Sequence, residues 1–328
     1  MSKRILLTTT SYQDTPGKHH ELLDGSGYQV VRDRGPLTEQ RMLELLEQQG
    51  PFDGLLNGDD AITARVIDAA LPHLKCICKY GIGLDSIDVA HATSRNLPVL
   101  FTPGVNHTTV AEHAIGLMIA LAKHFWPHMR AVKDGQWKRI TGNELAGKTL
   151  GILGMGRIGK EVIVRGKAFG MSPLAYDLYW DEQFAEAHGV RRADSSAQVL
   201  AGADIISLHM NLTDENAAFI NSSSIATMKD SAIIINTARG GLVEEADVAA
   251  ACREGRLGGY GTDVLSKEPI EAPHPFQDVD NIIVTPHVGS RTFESVERQA
   301  MRATLNLINF LEGRDDYIQA NETAAAAK

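Results

Sequence analysis

Short apolar runs alternate with longer segments of helical spacing along most of the chain. In its first part the apolar runs predict strands at residues 5–7, 28–31, 54–56, 74–78 and 99–101. Helical spacing between them predicts helices near Glu21 and at residues 38–48, 63–70 and 87–94. Strands separated by helices are typical of right-handed βαβ units in a parallel sheet. We therefore expect a compact α/β domain in this part of the chain.

A second block of the same kind begins near residue 149. Its apolar runs predict strands at residues 150–153, 174–176, 204–209, 232–236, 259–264 and 282–285. Six strands in one block is the number expected of a doubly wound fold that binds dinucleotides. A last helix, predicted at 292–311, follows this complete block. We expect it to return to the first domain.

The segment between the two blocks breaks the pattern at Pro103-Gly104, and residues 108–123 then give the longest apolar helix, a predicted connection between domains. Residues 125–148 carry Trp126 and Trp137 and no clear strand. Such aromatic residues can mark a subunit contact or pack beneath a loop. The predicted domains are residues 1–103 plus 288–328, which are discontinuous, and residues 104–287, with a cleft crossed by two linkers. Residues 320–328 are expected to form a frayed tail.

One turn in the second block has the pattern of a phosphate-binding loop. A buried strand leads into Gly154, Gly156 and Gly159, and a helix follows. Such glycines permit a tight turn, a close approach of the backbone to a pyrophosphate, and close packing of helix on strand. Asp177 ends the next strand, eighteen residues after the third glycine. A ribose-binding carboxylate is expected there, which favours a dinucleotide site over a glycine-rich turn without a ligand.

Composition narrows the classes of protein. A chain of 328 residues with 43% hydrophobic and 22% charged residues is typical of a folded protein of about two domains. Its net charge of −9 disfavours nucleic acid and anionic membranes as partners. The apolar run 114–122 is too short to span a bilayer, and no signal peptide is evident, so we expect a cytoplasmic protein.

The cysteines and histidines show no metal-binding pattern. Three cysteines, Cys76, Cys78 and Cys252, are too few for a disulfide framework, and the first two are expected to pack on one face of a strand. No metal site is expected. The pair His19-His20 is interpreted as solvated surface.

Three polar residues follow successive strands of the second block. Arg239 comes after the strand that ends at Asn236, Glu268 after the next, and His287 after the last. Ligands bind beyond the carboxyl ends of such strands. A guanidinium can bind a carboxylate and polarise an adjacent carbonyl, and a histidine oriented by a carboxylate can exchange a proton. With a nicotinamide ring, these groups are sufficient for hydride transfer to a 2-oxo acid, although each alone could be an ordinary surface residue.

From about residue 74 to 309 the chain resembles the D-isomer-specific 2-hydroxyacid dehydrogenase family. The motifs that carry the resemblance are Gly81-Ile-Gly-Leu-Asp85, Thr109-Val-Ala-Glu112, Leu145-Ala-Gly-Lys-Thr149, Gly154 to Gly159, Asn236-Thr-Ala-Arg-Gly240, Asp263-Val264, Lys267-Glu-Pro269 and Thr285-Pro-His287. Lys133-Asp-Gly135 and Trp137 point to the D-3-phosphoglycerate dehydrogenase branch, without the regulatory domains that some of those enzymes carry. The resemblance implies two doubly wound parallel-sheet α/β domains, with a Rossmann NAD-binding domain inserted in a flavodoxin-like substrate domain. It also implies a homodimer.

Roles for individual residues follow from the same resemblance. Arg239 would bind the substrate carboxylate and carbonyl, His287 would be the acid/base, and Glu268 would support the histidine. The backbone N–H groups of loop 79–83 would point at the carboxylate. The implied substrate contacts are Lys79, Tyr80, Gly81, Ile82, Asn106 and Arg239. The implied cofactor contacts are Thr109, Gly154, Gly156, Arg157, Ile158, Gly159, Asp177, His209, Asn211, Thr237, Ala238, Asp263 and Gly289, with Asp263 on the nicotinamide carboxamide.

Three local features adjust these expectations. Asp177 is followed by Leu178 and Tyr179 without an arginine, which favours NAD over NADP. Asn211 stands where the family usually has a proline in the cofactor pocket. Lys79-Tyr80 stands where the phosphoglycerate branch often has arginine and a small residue, which makes a phosphorylated substrate less certain.

The predicted function is NAD-dependent interconversion of a small 2-oxo acid and its D-2-hydroxy acid, such as phosphoglycerate, glycerate/hydroxypyruvate or a similar polar C3–C4 acid. One alternative is phosphite oxidation on the same fold. Formate oxidation is disfavoured by Glu268, because the formate enzymes of this family pair their histidine with glutamine. Another alternative is a non-enzymatic NAD(H)-sensing binding protein, which the absence of disordered or basic extensions disfavours.

Overall fold

The structure, a computed structural model, describes residues 3–323 and divides into two compact units. The first unit contains the chain up to Asn106 together with the chain from Arg291 onward, and the second contains His107–Ser290. Both divisions lie a few residues after the positions expected from the sequence. The functional labels of the two domains stay predictions.

The first unit is built on a parallel sheet with strand order β2-β1-β3-β4-β5. Its strands are β1 (Arg4–Leu7), β2 (Gln29–Arg32), β3 (Gly54–Asn57), β4 (Cys76–Lys79) and β5 (Val99–Leu100). Its helices include α1 (Thr10–Asp14), α2 (Lys18–Asp24), α3 (Glu39–Gln49), α4 (Ala64–Ala70) and α5 (Val89–Ser94). Thr38, Thr63 and Asp88 begin α3, α4 and α5, because each side chain accepts a backbone N–H of the first turn. The strands predicted here are confirmed.

The second unit contains a seven-stranded parallel sheet with strand order β12-β11-β10-β9-β6-β7-β8. Its strands are β6 (Thr149–Leu153), β7 (Ser172–Tyr176), β8 (Arg191–Arg192), β9 (Ile205–Leu208), β10 (Ala232–Asn236), β11 (Leu257–Thr262) and β12 (Ile282–Val284). Its helices are α6 (His107–Ala122), α7 (Phe125–Lys133), α8 (Arg157–Ala168), α9 (Glu182–His188), α10 (Ser196–Gly202), α11 (Ser222–Ala226) and α12 (Glu245–Arg253), with short 3-10 turns at Asp214–Asn216 and Gly240–Leu242. The predicted strands are confirmed, and the sequence missed only the short edge strand β8.

Each face of the second sheet packs against helices, which makes it doubly wound. Ile234 of β10 belongs to a core with α10, α11 and α12, whereas its neighbours Ile233 and Ile235 belong to a core with α6, α8 and α9. This alternation follows from the two-residue period of a strand. The apolar strands of the sequence are therefore buried on both sides, as parallel strands usually are.

The helix α13 (Phe293–Leu311) packs on the first unit. Val296, Ala300 and Leu307 share a core with Ile5 of β1 and with residues of α1 and α2. Cys76 and Cys78 are buried in this same core, which confirms that they pack on one face. Within the residues that the structure describes, no helix is both long and apolar enough to cross a membrane.

Two expectations about this unit are wrong. His19 is wholly buried rather than solvated: its Nε2 lies 3.0 Å from the carbonyl oxygen of Tyr12, and burial lowers the pKa of its imidazole. Ala320 and Asn321 are not frayed, because the Ala320 N–H donates to the Val99 oxygen and the Asn321 side chain accepts the Val99 N–H. Residues 324–328 of the predicted tail lie outside the described part of the chain.

Candidate active site

Three neighbouring strands of the second sheet position the residues expected to be catalytic. Arg239 follows β10, Glu268 lies in the loop after β11, and His287 follows β12. All three strands are parallel, so their carboxyl ends lie at one edge of the sheet. The structure brings Glu268 and His287 into contact, with His287 Nδ1 2.8 Å from Glu268 Oε2.

Main-chain bonds hold both members of this pair. Glu268 Oε1 accepts the Leu265 N–H at 2.9 Å, so both carboxylate oxygens are engaged. The His287 N–H donates to the Asp263 carbonyl at 2.9 Å, and His287 itself has a left-handed backbone with φ 52°. The two side chains are still 44% and 37% exposed, which keeps them accessible. Because Nδ1 faces the carboxylate, Nε2 is the ring nitrogen that can exchange a proton with a substrate oxygen.

The turn that carries Arg239 is shaped by the buried Asn236. Asn236 Nδ2 donates to the Arg239 carbonyl at 2.9 Å, and its Oδ1 accepts the Ala238 N–H at 3.0 Å. Arg239 Nη1 donates to the Ala238 carbonyl at 2.7 Å. A guanidinium carries five N–H donors, so this bond is compatible with a carboxylate ligand. The side chain is thus tethered at the sheet edge by its own turn.

Asp263 is buried and bonded to the segment around His287. Its carboxylate accepts the Thr285 hydroxyl at 2.6 Å and the N–H groups of Val288 and Gly289 at 2.9 and 2.7 Å. His113 Nε2 also lies 2.8 Å from Thr285 Oγ1. Asp263 therefore fixes the chain on both sides of His287. Its expected contact with a nicotinamide carboxamide stays a prediction.

The pairing of His113 with Thr285 was missed from the sequence, although Thr285 belongs to the motif Thr285-Pro-His287. The two side chains are 172 residues apart, and their pairing depends on α6 packing against the sheet. No local pattern carries this information, since it arises only when distant elements dock. The single available signal was the position of Thr285 directly before Pro286 and His287.

The glycine loop has the geometry of a phosphate cradle. Gly154 has φ 96°, and a Cβ there would lie 2.7 Å from the His209 carbonyl carbon. A Cβ on Gly159 would lie 2.1 Å from the Gly154 oxygen, so helix and loop could not pack as they do. A Cβ on Gly156 would meet only open space, and α8 begins at the exposed Arg157. The residues present therefore fit a pyrophosphate at the helix N-terminus.

Other expected cofactor residues follow β7, β9 and β10 or lie on α6 and α8. Asp177 follows β7; its Oδ2 accepts the Met155 N–H at 2.5 Å and its Oδ1 the Tyr179 N–H at 2.7 Å. Thr237 Oγ1 is buried and has no hydrogen-bond partner among residues 3–323, as expected of a group that a ligand would satisfy. Ile158 is half-buried on α8, Thr109 is buried on α6, and Asn211 is exposed after β9. Contacts of these residues with a cofactor stay predictions.

Replacing Asp177 with serine tests its role in choosing the cofactor. The variant loses the carboxylate that a ribose 2′-hydroxyl would bond and that a 2′-phosphate would meet as a like charge. We expect the ratio of kcat/KM for NADH to that for NADPH to fall by about tenfold or more, since one charged hydrogen bond contributes roughly 1.5–3 kcal/mol. Steady-state kinetics with both cofactors measure this ratio. An unchanged ratio would mean that another residue reads the ribose.

His209, which follows β9, is a partly buried histidine. Its Nε2 lies 2.8 Å from Ser207 Oγ, and burial lowers the pKa of its imidazole to about 3. Below the unfolded pKa of roughly 6.5, the unfolded chain takes up a proton that the folded chain does not. The neutral His209 therefore does not lower the stability of the fold above about pH 6.5. Below that pH the free energy of unfolding decreases, and it continues to decrease until the pH reaches the folded pKa of His209.

We therefore expect acid to destabilise the second unit through His209. At pH 5 the loss is about 1–2 kcal/mol relative to pH 8. In His209→Asn, the difference between the melting temperatures at pH 8 and pH 5 should shrink, even if both are lower than in the wild type. His188→Asn, on α9, is the control. Equal pH dependence in His209→Asn and the wild type would show that His209 is not the group responsible.

The expected substrate loop lies in the first unit. Lys79 is buried, and its Nζ donates to the Gly58 carbonyl and to Asp59 Oδ1, both at 2.6 Å. Tyr80 is also buried, which raises the pKa of its phenol to about 12, and Ile82 is exposed. Asn106 Oδ1 is buried without a partner in the described residues.

The main chain of this loop corrects one expectation. The Tyr80 N–H donates to the Asn57 carbonyl and the Gly81 N–H to Thr102 Oγ1, both at 2.9 Å. These two groups are therefore used inside the first unit and do not point at a ligand. Whether Lys79, Tyr80, Gly81, Ile82 and Asn106 touch a substrate stays a prediction.

Comparisons with known proteins agree with this geometry. Residues 115–289 match the family model described as D-isomer specific 2-hydroxyacid dehydrogenase, NAD binding domain. The chain is 37% identical over 273 residues to a D-3-phosphoglycerate dehydrogenase of Archaeoglobus fulgidus, a match that covers 82% of this chain and 51% of that protein. It is 36% identical over 288 residues to a glyoxylate reductase of Korarchaeum cryptofilum, a match that covers 86% of each chain.

The fold has close counterparts among solved structures. The TT0316 protein from Thermus thermophilus superposes with a TM-score of 0.88 at 35% identity, over 97% of this chain and all of that one. By contrast, the chain spans about half the length of the curated phosphoglycerate dehydrogenases that it matches. The similarity thus extends over both units, while substrate names differ between relatives.

Proposed function

The chain belongs to the D-isomer specific 2-hydroxyacid dehydrogenase family, and we propose that it reduces a small polar 2-oxo acid to the D-2-hydroxy acid with NADH, or catalyses the reverse reaction. The observation that carries the proposal is the 2.8 Å contact between His287 and Glu268 at the sheet edge where Arg239 also lies. A histidine oriented by a carboxylate beside an arginine suits proton transfer to a carbonyl whose neighbouring carboxylate is bound.

Each residue has a distinct task in this reaction. Arg239 binds the substrate carboxylate and polarises the C2 carbonyl. When bound, NADH supplies the hydride that C2 receives. His287 donates the proton on Nε2 to the carbonyl oxygen, which becomes the hydroxyl, and Glu268 holds the ring through Nδ1 during that step. The net reaction consumes one 2-oxo acid, one NADH and one proton, and yields one 2-hydroxy acid and one NAD⁺.

The chemistry around Lys79 supports a substrate whose tail carries no phosphate. The Lys79 ammonium is buried and already paired with the Asp59 carboxylate. A phosphate at that ammonium would have to displace this pair and would meet a like charge. Glyoxylate and hydroxypyruvate avoid this cost, so we place them before phosphohydroxypyruvate as substrates.

A panel of 2-oxo acids tests the proposal. NADH oxidation is followed at equal concentrations of glyoxylate, hydroxypyruvate, phosphohydroxypyruvate, sulfopyruvate and a longer 2-oxo acid, with phosphite and NAD⁺ as a separate reaction. We expect turnover with glyoxylate or hydroxypyruvate and a lower kcat/KM with phosphohydroxypyruvate. Turnover with phosphite alone, or tight NADH binding without turnover of any compound, would contradict the proposal.

An apolar face on the second unit supports a homodimer. Phe125, Met129 and Val132 recur at helical spacing on α7, and each is about half exposed. Trp126 on the same helix is 49% exposed, and Trp137 beyond its end is 79% exposed. Adjacent exposed apolar side chains of this size usually mark an interface, and a two-fold contact would bury the same face on both copies. We propose that this face joins two copies of the chain.

Charge on this face should separate the copies. In the double variant Met129→Glu/Val132→Glu, dimer formation would bury four like charges, so we expect a monomer by light scattering after size exclusion. Val164→Glu, at a 40% exposed position on α8, should leave the dimer intact. A monomeric wild type, or a variant that stays dimeric, would exclude this face as the interface.

A further inference from the structure

A second histidine–carboxylate pair lies in the same unit as His287 and Glu268. His274 Nε2 is 3.3 Å from Glu245 Oε2, and the two side chains are only 10% and 13% exposed. Glu245 is the first residue of α12, in the element that follows the turn of Arg239. Burial of ionisable groups destabilises the folded state unless the groups are paired and hydrogen-bonded.

Glu245 is bonded to the loop that carries Glu268. Its Oε1 accepts the Ser266 N–H at 2.8 Å. The adjacent Leu265 N–H donates to Glu268 Oε1 at 2.9 Å, and Glu268 Oε2 meets His287 at 2.8 Å. Two successive amide groups of one loop are thus fixed by the two glutamates. A shift of the loop at Ser266 would therefore move the carboxylate that orients His287.

The same loop segment is in tight contact with the turn of Arg239. A Cβ on Gly240 would lie 1.9 Å from the Leu265 carbonyl carbon and 2.3 Å from the Ser266 nitrogen. Only glycine allows the two backbones to pack this closely. The distance between Arg239 and Glu268 consequently depends on where the loop of residues 265–268 rests.

His274 fixes the orientation of Glu245. Its Nδ1 accepts the Phe276 N–H at 3.3 Å, so the proton of the neutral ring is assigned to Nε2, which faces Glu245. Phe276 packs edge-on against Tyr260 at 5.5 Å, and the Tyr260 hydroxyl lies 3.4 Å from Asn236 Nδ2. Asn236 in turn shapes the Arg239 turn, so buried groups connect the two catalytic loops.

We propose that Glu245, oriented by His274, is a positioning residue that sets the place of Glu268 and, through it, of His287. This inference rests on the proposed function. Glu245 accepts the Ser266 N–H and faces His274, and we infer that it acts on Glu268 through the Ser266 amide. Its loss should therefore impair the chemical step while leaving cofactor binding unchanged, since the glycine loop follows a different strand, β6.

Three variants of Glu245 separate positioning from general stability. Glu245→Ala removes the acceptor for Ser266, and we expect kcat to fall 10- to 100-fold with the dissociation constant for NADH changed less than about threefold. Glu245→Gln keeps an oxygen at Oε1, so its kcat should return to within about fivefold of the wild type. Glu245→Asp keeps the charge but withdraws the oxygens, so it should resemble alanine and serves if Glu245→Ala fails to fold.

The control is a comparable main-chain anchor elsewhere in the unit. Asp204 Oδ2 accepts the Thr149 N–H at 2.7 Å, and Oδ1 pairs with Lys229 at 3.1 Å. Asp204→Ala should lower the melting temperature but leave kcat near that of the wild type. An equal loss of kcat in Asp204→Ala, or none in Glu245→Ala and Glu245→Asp, would overturn the proposal.

A double variant tests whether the effect passes through the catalytic histidine. The kcat of the double variant His287→Ala/Glu245→Ala should be less than about twofold below that of His287→Ala alone. The reason is that the side chain that Glu245 positions is already absent. If the losses of kcat in the two single variants were fully additive in the double variant, the positioning role of Glu245 would be contradicted. If His287→Ala alone kept wild-type activity, the proposed function would be wrong, whatever the results for the Glu245 variants. If His287→Ala lost activity as expected but Glu245→Ala did not, only the positioning role of Glu245 would be refuted.

Discussion

Replacing His287 with alanine is expected to lower kcat by about 10²- to 10⁴-fold, the range that general acid–base catalysis contributes. The Nδ1 of His287 lies 2.8 Å from Glu268 Oε2, and Nε2 is the ring nitrogen that we propose to exchange the proton. The dissociation constant for NADH should change less than about threefold, because the glycine loop lies after β6, two strands from β10 and further from β12. Steady-state kinetics and a fluorescence titration of NADH measure the two quantities.

The exposed His73 of the first unit provides the control for this variant. His73→Ala removes a histidine without affecting the second unit, so kcat should match the wild type. If His287→Ala retained activity near that of the wild type, the acid/base assignment would be wrong. A parallel loss of NADH affinity would instead point to a collapsed loop after β12, which melting temperatures would reveal.

Substitution of Arg239 is expected to have the second large effect. If Arg239 binds the substrate carboxylate as proposed, Arg239→Ala removes two charge-assisted bonds, each of roughly 1.5–3 kcal/mol, so kcat/KM should fall by about 10²- to 10⁴-fold. Arg239→Lys keeps the charge but not the fork, and should lie between alanine and the wild type. The KM for the 2-oxo acid should rise in both variants, as measured by initial rates at saturating NADH.

Arg165→Lys is the matched control for Arg239→Lys. Arg165 lies on α8 and pairs with Glu161 of the same helix, away from the ends of β10, β11 and β12. It should keep the wild-type KM. An Arg239→Ala variant with unchanged KM and kcat would show that another group binds the carboxylate.

The fold was predictable because its signals are periodic and local. Apolar runs of strand length between helical segments are enough to indicate parallel sheets, and the predicted strands of both units are confirmed. The residues after β10, β11 and β12 could be chosen as candidates for the same reason, since the carboxyl ends of parallel strands share an edge. Their contact with a substrate is still a prediction.

What the sequence did not reveal depends on contacts between distant segments. The pairing of His113 with Thr285 around Asp263 and the anchoring of Ser266 by Glu245 appear only when helices dock on the sheet. His19 was taken for surface because histidines often are, yet it is wholly buried on α2, which packs against α13, and its ring lies against that of Tyr12. No local pattern distinguishes a buried histidine from a solvated one.

Burial of Lys79 affects which ligand is expected at its ammonium group. In the sequence, Lys79-Tyr80 departs from the arginine and small residue of the phosphoglycerate branch, which already disfavours a phosphorylated substrate. In the structure, its ammonium is buried and bonded to Gly58 and Asp59. The pairing with Asp59 gives a further reason to expect acids without a phosphate, and the panel of 2-oxo acids tests this expectation.

The most direct test of the central claim is the product formed from hydroxypyruvate and one equivalent of NADH. Chiral chromatography of the reaction mixture, together with the loss of NADH absorbance, gives both identity and stoichiometry. We predict one D-glycerate for each NADH consumed by the wild type. Absence of glycerate despite bound NADH, or formation of the L-isomer, would contradict a D-2-hydroxyacid dehydrogenase.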